Sequence, residues 1–361
     1  MVIKSMSLQN YRNYKSLNLD FDPNTNIFYG DNAQGKTNIL EAVYVSGTTK
    51  SHRSSKDREL IHFGEEEAHI CSFIEKKGIV HKIDMHLRKN KTKGIAIDGI
   101  PIKKASELFG IIHFVFFSPE DLSIIKNGPS ERRRFIDVEL CQLDRVYLHN
   151  LSNYNKLVLQ RNKLLKELYI HPDYGELLDV LNMQMIQYGT QIIRSRNKFV
   201  KDLNEIIQKI HSQLSGGQEK IVLEYECNAS EEDFPLLLKR NMDRDIRLKT
   251  TTTGPHRDDL SFLVNEVDIR KFGSQGQQRT AALSLKLSEI ELVKKTVHDT
   301  PILLLDDVLS ELDSNRQNYL LNNIQNIQTL ITCTGLDEFI NHRFSINKVY
   351  KVTEGNVTVE N

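Results

Sequence analysis

Residues Gly30-Asp31-Asn32-Ala33-Gln34-Gly35-Lys36-Thr37 decide the fold of this 361-residue chain, because they match G-x-x-x-x-G-K-[ST] at every fixed position. An apolar strand, Ile27–Tyr29, leads into the stretch, and residues 38–45 continue it as a helix. The glycines allow a curl in which backbone N–H groups point inward at phosphate oxygens, and the helix adds its positive dipole end. We therefore predict a phosphate-binding loop in which all of these residues contact a nucleotide. The structural alternative, a glycine turn before an N-cap threonine, leaves the lysine unexplained.

Two side chains of this loop carry the predicted chemistry. Lys36 is expected to reach the β and γ phosphates of ATP and to act in catalysis. Thr37, the first residue of the helix, is expected to offer its hydroxyl to Mg²⁺. The loop thus predicts that the protein binds ATP with Mg²⁺.

An acidic strand end is the second element of the predicted site. Ile302–Leu305 is an uninterrupted apolar run, typical of a central strand covered on both faces, and it ends in Asp306 and Asp307. We expect Asp306 to bind Mg²⁺, directly or through water, and Asp307 to be catalytic by orienting or deprotonating the attacking water. The alternative is a carboxylate pair that caps a helix. The next residues, Ser310-Glu311-Leu312-Asp313, resemble the D-loop of ABC-type ATPases, which lies across a dimer interface.

ABC-type ATPases also carry a Ser-x-Gly-Gln turn that opens a helix and caps the γ-phosphate of the opposite subunit, and this chain has two candidates. Leu214-Ser215-Gly216-Gly217-Gln218 spells the LSGGQ string, but it ends a predicted helix and precedes a strand, as a helix C-cap does. Ser274-Gln275-Gly276-Gln277 fits the string less well, yet a helix and then the acidic strand follow it. We therefore predict that Ser274, Gly276 and Gln277 bind the nucleotide of a second subunit. An ordinary helix start is the alternative.

Periodicity predicts the remaining elements. Alternation of apolar and polar residues predicts strands at 2–8, 17–21, 220–226 and 260–264. Asp98-Gly99 predicts a tight turn between hairpin strands. Helical spacing predicts a helix over 277–297 and two antiparallel arms, one helix from Ser130 to about Leu168 and another from 178 to 214, with an interruption at 171–175. Each arm would be roughly 55 to 60 Å long.

Together these patterns predict an α/β fold, an ABC-type ATPase head with an inserted α-helical lobe. The head would combine a mixed sheet that carries the P-loop with a β-rich side layer. We place the discontinuous ATPase core at 1–125 plus 245–361 and the inserted helical arm at 126–244.

Composition limits the class of protein. Lys plus Arg and Asp plus Glu both number 48, so the net charge indicates neither a nucleic acid nor a membrane partner. No apolar run approaches the roughly 20 residues that cross a bilayer, and the first residues lack the pattern of a signal peptide. The four cysteines show no C-x-x-C spacing, which argues against a zinc site or a disulfide framework. We expect a cytoplasmic protein with no membrane association.

The order of these motifs resembles the RecF family of bacterial recombination mediators, which is related to SMC-type ABC ATPases. The likeness runs across nearly the whole chain and rests on Leu8–Tyr14, Gly30–Thr37, Phe117–Leu122, Gly128–Asp137, Gly254–Asp259, Ser274–Arg279 and Leu305–Asp313. It also places Arg12, within the first of these stretches, among the nucleotide-binding residues.

The resemblance implies an ATP-dependent homodimer that encloses two nucleotides between the P-loops and the opposing signature turns. It implies binding to DNA at gaps or at junctions of single and double strands, and a RecR partner through which the recombinase is loaded. A role in replication-linked DNA repair and in induction of the SOS response follows from the same likeness. The enzyme activity would be a weak, DNA-stimulated ATPase that acts as a switch.

The chain departs from the ABC pattern in ways that bear on its activity. Asp307 stands where many ABC ATPases have glutamate, so slow hydrolysis is expected. Thr332-Cys333-Thr334-Gly335 lacks the histidine that transporters carry after the same strand, and Phe117–Asp121 lacks a Q-loop glutamine. An ATPase subunit of a membrane transporter and a P-loop small-molecule kinase are the alternative functions. The missing histidine and the inserted lobe argue against the first, and the signature turn argues against the second.

Basic clusters are candidates for contacts with DNA phosphates. They are Arg132 to Arg134, Lys89 with Lys91 and Lys93, and Lys50 with Arg53. A solvated helix face or loop tip explains each cluster as well, and for Arg133 and Arg134 packing against the core is a further alternative.

Overall fold

The structure is a computed structural model that describes residues 1–53, 56–168, 174–336, 339 and 346–360. The strands are β1 Val2–Tyr11, β2 Tyr14–Asp20, β3 Thr25–Tyr29, β4 Glu67–Lys76, β5 Ile79–Arg88, β6 Gly94–Ile97, β7 Ile100–Pro101, β8 Phe114–Phe117, β9 Ile221–Glu226, β10 Asp259–Val264, β11 Val267–Asp268, β12 Ile302–Asp306, β13 Thr329–Cys333, β14 Lys348–Thr353 and β15 Asn356–Glu360. The helices are α1 Lys36–Thr48, α2 Leu122–Lys126, α3 Pro129–Leu143, α4 Arg145–Glu167, α5 Tyr174–Leu214, α6 Phe234–Arg240, α7 Met242–Leu248, α8 Ile269–Phe272, α9 Gln275–Val297 and α10 Ser314–Asn323.

The chain forms two compact units. The first unit contains Met1–Asp121 and Glu289–Asn361, and the second contains Leu122–Ser288. These units are defined by compactness, whereas the sequence-based division at 125/126 and 244/245 separates an ATPase core from an inserted arm. That division therefore stays a prediction. Among the described helices, none is both long and apolar enough to span a bilayer.

A mixed sheet of the first unit carries the predicted nucleotide site. Its strand order is β15-β14-β3-β13-β12-β8, and all neighbours are parallel except the β14–β15 hairpin. The central strands β12 and β13 are buried along their whole length, which explains why their sequences are apolar without alternation. Because parallel strands end at the same edge, β3, β13 and β12 bring the residues that follow them to one place.

An antiparallel sheet in the order β2-β1-β4-β5-β6-β7 forms the β-rich side layer of the same unit, as predicted. Asp98 and Gly99 both have positive φ, 53° and 79°, in the turn between β6 and β7. Helix α1 contacts strands of both sheets, and its residues from Ile39 to Thr48 are buried on every side. This double cover explains why the helix that follows the P-loop is not amphipathic.

The second unit combines a three-stranded antiparallel sheet, β11-β10-β9, with most of the helices. Helices α4 and α5 pack antiparallel, since Arg161 near the end of α4 donates to Asn182 near the start of α5 at 2.8 Å. At the other end of the pair, Arg196 of α5 donates to the hydroxyl of Tyr147 at 3.0 Å. The predicted antiparallel arms are therefore present.

The prediction of one helix from Ser130 to about Leu168 is wrong. Asp144 interrupts it with an extended backbone, and its carboxylate accepts a hydrogen bond from the N–H of Val146 at 2.7 Å, so it is the N-cap of a new helix. The two helices keep a similar apolar spacing across the break, and periodicity therefore hides it. The second arm was predicted correctly as α5, whose 41 residues span about 60 Å. Of the predicted interruption at 171–175, residues 171–173 lie outside the described residues, whereas 174 and 175 are the first residues of α5, so the prediction is wrong for these two.

Candidate nucleotide site

The P-loop joins β3 to α1, and several of its residues have positive φ, the conformation that glycine adopts most easily. Gly30 and Gly35 have φ of 148° and 112°, and Ala33 between them has φ of 65°. A Cβ atom added to Gly30 would lie 2.3 Å from the carbonyl oxygen of Val352 on β14, closer than real contacts allow. The curl that was predicted from the glycine spacing is therefore also required by the neighbouring strand.

Lys36 is buried, with 4% of its surface exposed, while Asp31 and Asn32 at the tip of the loop are exposed. Its ammonium group donates to the carbonyl oxygens of Gly30 at 2.7 Å and Asp31 at 3.0 Å. The charge is thus held at the mouth of the loop, beside the backbone groups that would face phosphates.

Two residues support the loop from outside, Asn13 in the turn between β1 and β2 and Tyr14 at the start of β2, and sequence reasoning missed both. Asn13 donates from Nδ2 to the carbonyl oxygen of Gln34 at 3.1 Å. The hydroxyl of Tyr14 donates to the carbonyl oxygen of Gly35 at 3.0 Å. The tyrosine hydroxyl is part of a buried ring, and burial raises its pKa. The only signal in the sequence was their position beside Arg12.

Asp306 lies at the end of β12, where hydroxyls from two neighbouring elements donate to the same carboxylate oxygen. Thr37 of α1 and Thr332 of β13 each donate to Oδ1 at 2.8 Å. Burial raises the pKa of this carboxyl, and the nearby charge of Asp307 acts in the same direction. The structure thus brings together Thr37 and Asp306, the two residues predicted to bind Mg²⁺, and adds Thr332.

This donor set fits Mg²⁺. A hydroxyl and a carboxylate are hard oxygen ligands, and Mg²⁺ in nucleotide sites takes few protein ligands because phosphates and waters complete its octahedron. The described residues contain no group of three or more His, Cys, Asp or Glu side chains arranged to hold a metal by themselves.

Asp307 follows the strand in a left-handed conformation, with φ of 51°. Its N–H donates to the hydroxyl of Thr332 at 2.9 Å, and its carbonyl oxygen accepts from Ser310 at 2.8 Å. It lines a cavity of about 550 Å³ with residues of the P-loop, the D-loop-like segment and the end of β13, including Asn32, Glu311 and Thr332. The predicted catalytic carboxylate therefore borders a space large enough for phosphate and water.

Arg12 lies beside α1 and is engaged with a buried carboxylate. Its guanidinium forms two bonds to Glu41, at 2.8 and 2.7 Å, and a third to the carbonyl oxygen of Glu59 at 2.7 Å. Ser51 donates to the same carboxylate at 2.5 Å. Burial acts to raise the pKa of Glu41, but the bonds from Arg12 and Ser51 outweigh it, and the net pKa is lowered. A nucleotide contact by Arg12 stays a prediction.

The predicted signature turn belongs to the second unit. Ser274 accepts from the N–H of Gln277 at 3.2 Å, and the side chain of Gln277 accepts from the N–H of Ser274 at 3.0 Å, which is a capping box at the start of α9. Ser274 and Gly276 are exposed.

The competing LSGGQ string ends α5 as expected. Gly217 has φ of 78° and donates to the carbonyl oxygen of Ser212 at 2.7 Å.

The basic clusters differ in how far their charges are engaged. Arg132 is 1% exposed and forms two bonds to the carboxylate of Asp259, at 2.6 and 3.0 Å, so packing explains it better than DNA binding does. Lys93 pairs with Asp57 at 3.0 Å. Exposed Lys89 pairs with Glu66 at 2.8 Å, a surface contact that costs little to break.

Comparison with known proteins identifies the family of the chain. The profile of the RecF/RecN/SMC N-terminal domain family matches residues 2–358. A protein of Agathobacter rectalis named DNA replication and repair protein RecF is 63% identical over 359 residues, which cover 99% of both chains. The chain belongs to the RecF family. A RecF of Clostridium perfringens is 44% identical over 99% of both chains.

Solved structures place the RecF family fold on the chain as well. A structure of the recombination mediator protein RecF-ATP in the RecFOR pathway has a TM-score of 0.93 and 34% identity over 99% of this chain and 97% of that one. An Smc head bound to the C-winged helix domain of ScpA has a TM-score of 0.58 at 16% identity, which shows a shared fold alone. The predicted ABC-type ATPase head and the predicted family are therefore confirmed.

Proposed function

We propose that this RecF family chain is an ATP-dependent, DNA-binding recombination mediator. The observation that carries the proposal is the convergence of Thr37 of α1, Asp306 of β12 and Thr332 of β13 beside a complete P-loop. A solved relative is described as RecF-ATP, and curated relatives are named for DNA replication and repair.

In this proposal each residue has a defined task. Backbone N–H groups from Gly30 to Gly35 and the ammonium of Lys36 bind the phosphates, and Thr37 with Asp306 would hold Mg²⁺. Bound Mg²⁺ would supply positive charge against the phosphate oxygens. Asp307 orients a water and accepts its proton. Aspartate is one methylene shorter than glutamate, so hydrolysis is slow and acts as a timer.

Closure requires a second copy of the chain. Ser274, Gly276 and Gln277 of one copy would bind the γ-phosphate held by the P-loop of the other, so that ATP promotes a homodimer and hydrolysis reopens it. The closed dimer would hold DNA at gaps or at junctions of single and double strands, and DNA would in turn stimulate hydrolysis. RecR is the proposed protein partner, which agrees with relatives placed in the RecFOR pathway. Support of replication-linked repair and of SOS induction in the cytoplasm completes the proposal.

The test is DNA binding by the purified protein with ATP, ADP or no nucleotide, on gapped and on blunt duplexes. Retention that depends on ATP and favours gapped DNA is expected, together with ATP-dependent dimers in light scattering. Equal binding in all nucleotide states would defeat the switch.

Two arginine variants test which turn is the signature. Ser274→Arg places a bulky cation at the exposed cap of α9 and should bind ATP without dimerising. Gln218→Arg adds the same side chain to the exposed end of the LSGGQ string and should still dimerise. The reverse pattern would move the signature to the LSGGQ string.

A further inference from the structure

The residue after the LSGGQ string contacts the predicted signature turn. Glu219 accepts a hydrogen bond at Oε1 from the side-chain amide of Gln277 at 2.9 Å. Its other oxygen, Oε2, lies 3.2 Å from Nε2 of His211, in the last turn of α5. Gly216 and Gly217, both with positive φ, reverse the chain after α5. The LSGGQ-like turn therefore brings Glu219 back against both partners.

The hydrogen bond that Glu219 accepts is one of two that hold the side-chain amide of Gln277. Its Oε1 atom accepts from the N–H of Ser274, and its Nε2 atom donates to Glu219, so both ends of the amide are occupied. A carboxylate accepts only, which fixes the amide with nitrogen toward Glu219 and oxygen toward Ser274. The capping box thus depends on a residue outside the turn.

His211 anchors Glu219 to the same helix that the capping box begins. The imidazole is fully buried, and its Nδ1 atom lies 2.9 Å from the hydroxyl of Ser284 on α9. That hydroxyl donates its hydrogen to the carbonyl oxygen of Thr280 at 2.7 Å, so it accepts from His211. The imidazole thus lies between the hydroxyl of Ser284 and the carboxylate of Glu219. The pair joins the end of α5 to the first three turns of α9.

We propose that Glu219, held by His211, is a positioning residue for the signature turn. It keeps Gln277 in the capping box, and the capping box uses a lone pair of Ser274 while leaving its hydroxyl hydrogen free. Because Ser274 is exposed, that hydrogen is available to donate to a phosphate oxygen of the nucleotide on a second copy. This step rests on the proposed function, whereas the ordering of the turn by Glu219 does not.

The first experiment measures hydrogen exchange of the amides of residues 274–278 in the full chain without nucleotide. Glu219→Ala should speed exchange of the Ser274 and Gln277 amides about tenfold, because a hydrogen bond to a charged group is lost. Glu219→Gln keeps an acceptor for Gln277 and should stay within about twofold of wild type. Glu224→Ala, an exposed glutamate on nearby β9, is the matched control and should change nothing. Unchanged exchange in Glu219→Ala would overturn the proposal.

The second experiment measures ATP-dependent dimerisation and binding of a fluorescent ATP analogue. Glu219→Ala should raise the dimer dissociation constant about tenfold with unchanged nucleotide binding, and Glu219→Gln should restore dimerisation. In a Gln277→Ala background, Glu219→Ala should have no further effect if it acts through Gln277. Additive losses would assign Glu219 a general structural role and overturn the proposal. If wild type itself forms no dimer with ATP, the proposed function fails, and the exchange rates alone decide the positioning role.

Discussion

Replacing Thr332 with valine is the most direct test of the acidic strand end. The hydroxyl of Thr332 donates to Asp306 at 2.8 Å and accepts from the N–H of Asp307 at 2.9 Å, and the side chain is 1% exposed. Valine has nearly the same shape, so the change removes two hydrogen bonds and leaves little cavity. Asp306 would keep one of its two hydroxyl donors, and the N–H of Asp307 would lose its acceptor.

The expected cost follows from these two bonds. A hydrogen bond to a charged group contributes about 1.5 to 3 kcal/mol, and a buried N–H left without an acceptor costs about 1 to 3 kcal/mol. Burial of the added methyl group returns about 0.8 kcal/mol. We expect the free energy of unfolding to fall by about 2 to 4 kcal/mol, measured by chemical denaturation without nucleotide.

The rate of ATP hydrolysis should fall more than the affinity for ATP. The backbone at Asp307 would lose one of its two hydrogen bonds and keep the one from Ser310, and misplacement of a catalytic group by about 1 Å can cost a hundredfold in rate. ATP hydrolysis should therefore fall by roughly tenfold to a hundredfold, while ATP affinity stays within about threefold because the P-loop is untouched. Thr332→Ser should behave as wild type. Thr358→Val, exposed on edge strand β15, is the control. Wild-type stability and turnover in Thr332→Val would refute this account of the site.

Three further perturbations have distinct signatures. Glu41→Gln should lower the free energy of unfolding by about 2 kcal/mol at pH 7. Because the folded pKa of Glu41 is lowered, wild type should lose this advantage as the pH falls from its ordinary pKa of 4.5 through the folded pKa, which denaturation at several pH values checks. Gly30→Ala should abolish ATP binding in a filter assay, whereas Gly78→Ala, in a turn with open space, should not. Arg132→Leu should destabilise by about 1 to 3 kcal/mol in thermal unfolding, because the partly buried carboxylate of Asp259 loses both bonds from the Arg132 guanidinium and keeps the longer contact with Arg270 at 3.7 Å. An effect on DNA binding without destabilisation would contradict that reading of Arg132.

Sequence reasoning succeeded where one local pattern carries the information. The P-loop, the acidic strand and the Asp98-Gly99 turn each depend on a run of consecutive residues. For each of them the predicted secondary structure agrees with the observed one. The same holds for the end of α5, where two glycines identified a helix C-cap although the letters spelled a signature.

Sequence reasoning failed where partners are far apart in the chain. Thr332 reaches Asp306 only because β13 lies between β3 and β12, an order that strand patterns do not encode. In the sequence, nothing distinguishes Glu41 from other glutamates of a helix. Its ion pair forms because the side layer brings Arg12 beside α1. Asp144 was hidden because one cap interrupts a helix without altering its apolar period.

Two buried carboxylates of the first unit show how structure separates a supporting residue from a binding one. Glu41 is fully buried but faces Arg12, and its net pKa is lowered, so its charge is already balanced within the protein. Asp306 is nearly as buried, yet its donors are the hydroxyls of Thr37 and Thr332, and burial with Asp307 nearby raises its pKa. Neutral donors orient a carboxylate without balancing its charge, so a cation gains more at Asp306 than at Glu41. This difference favours Asp306 over Glu41 as the Mg²⁺ ligand.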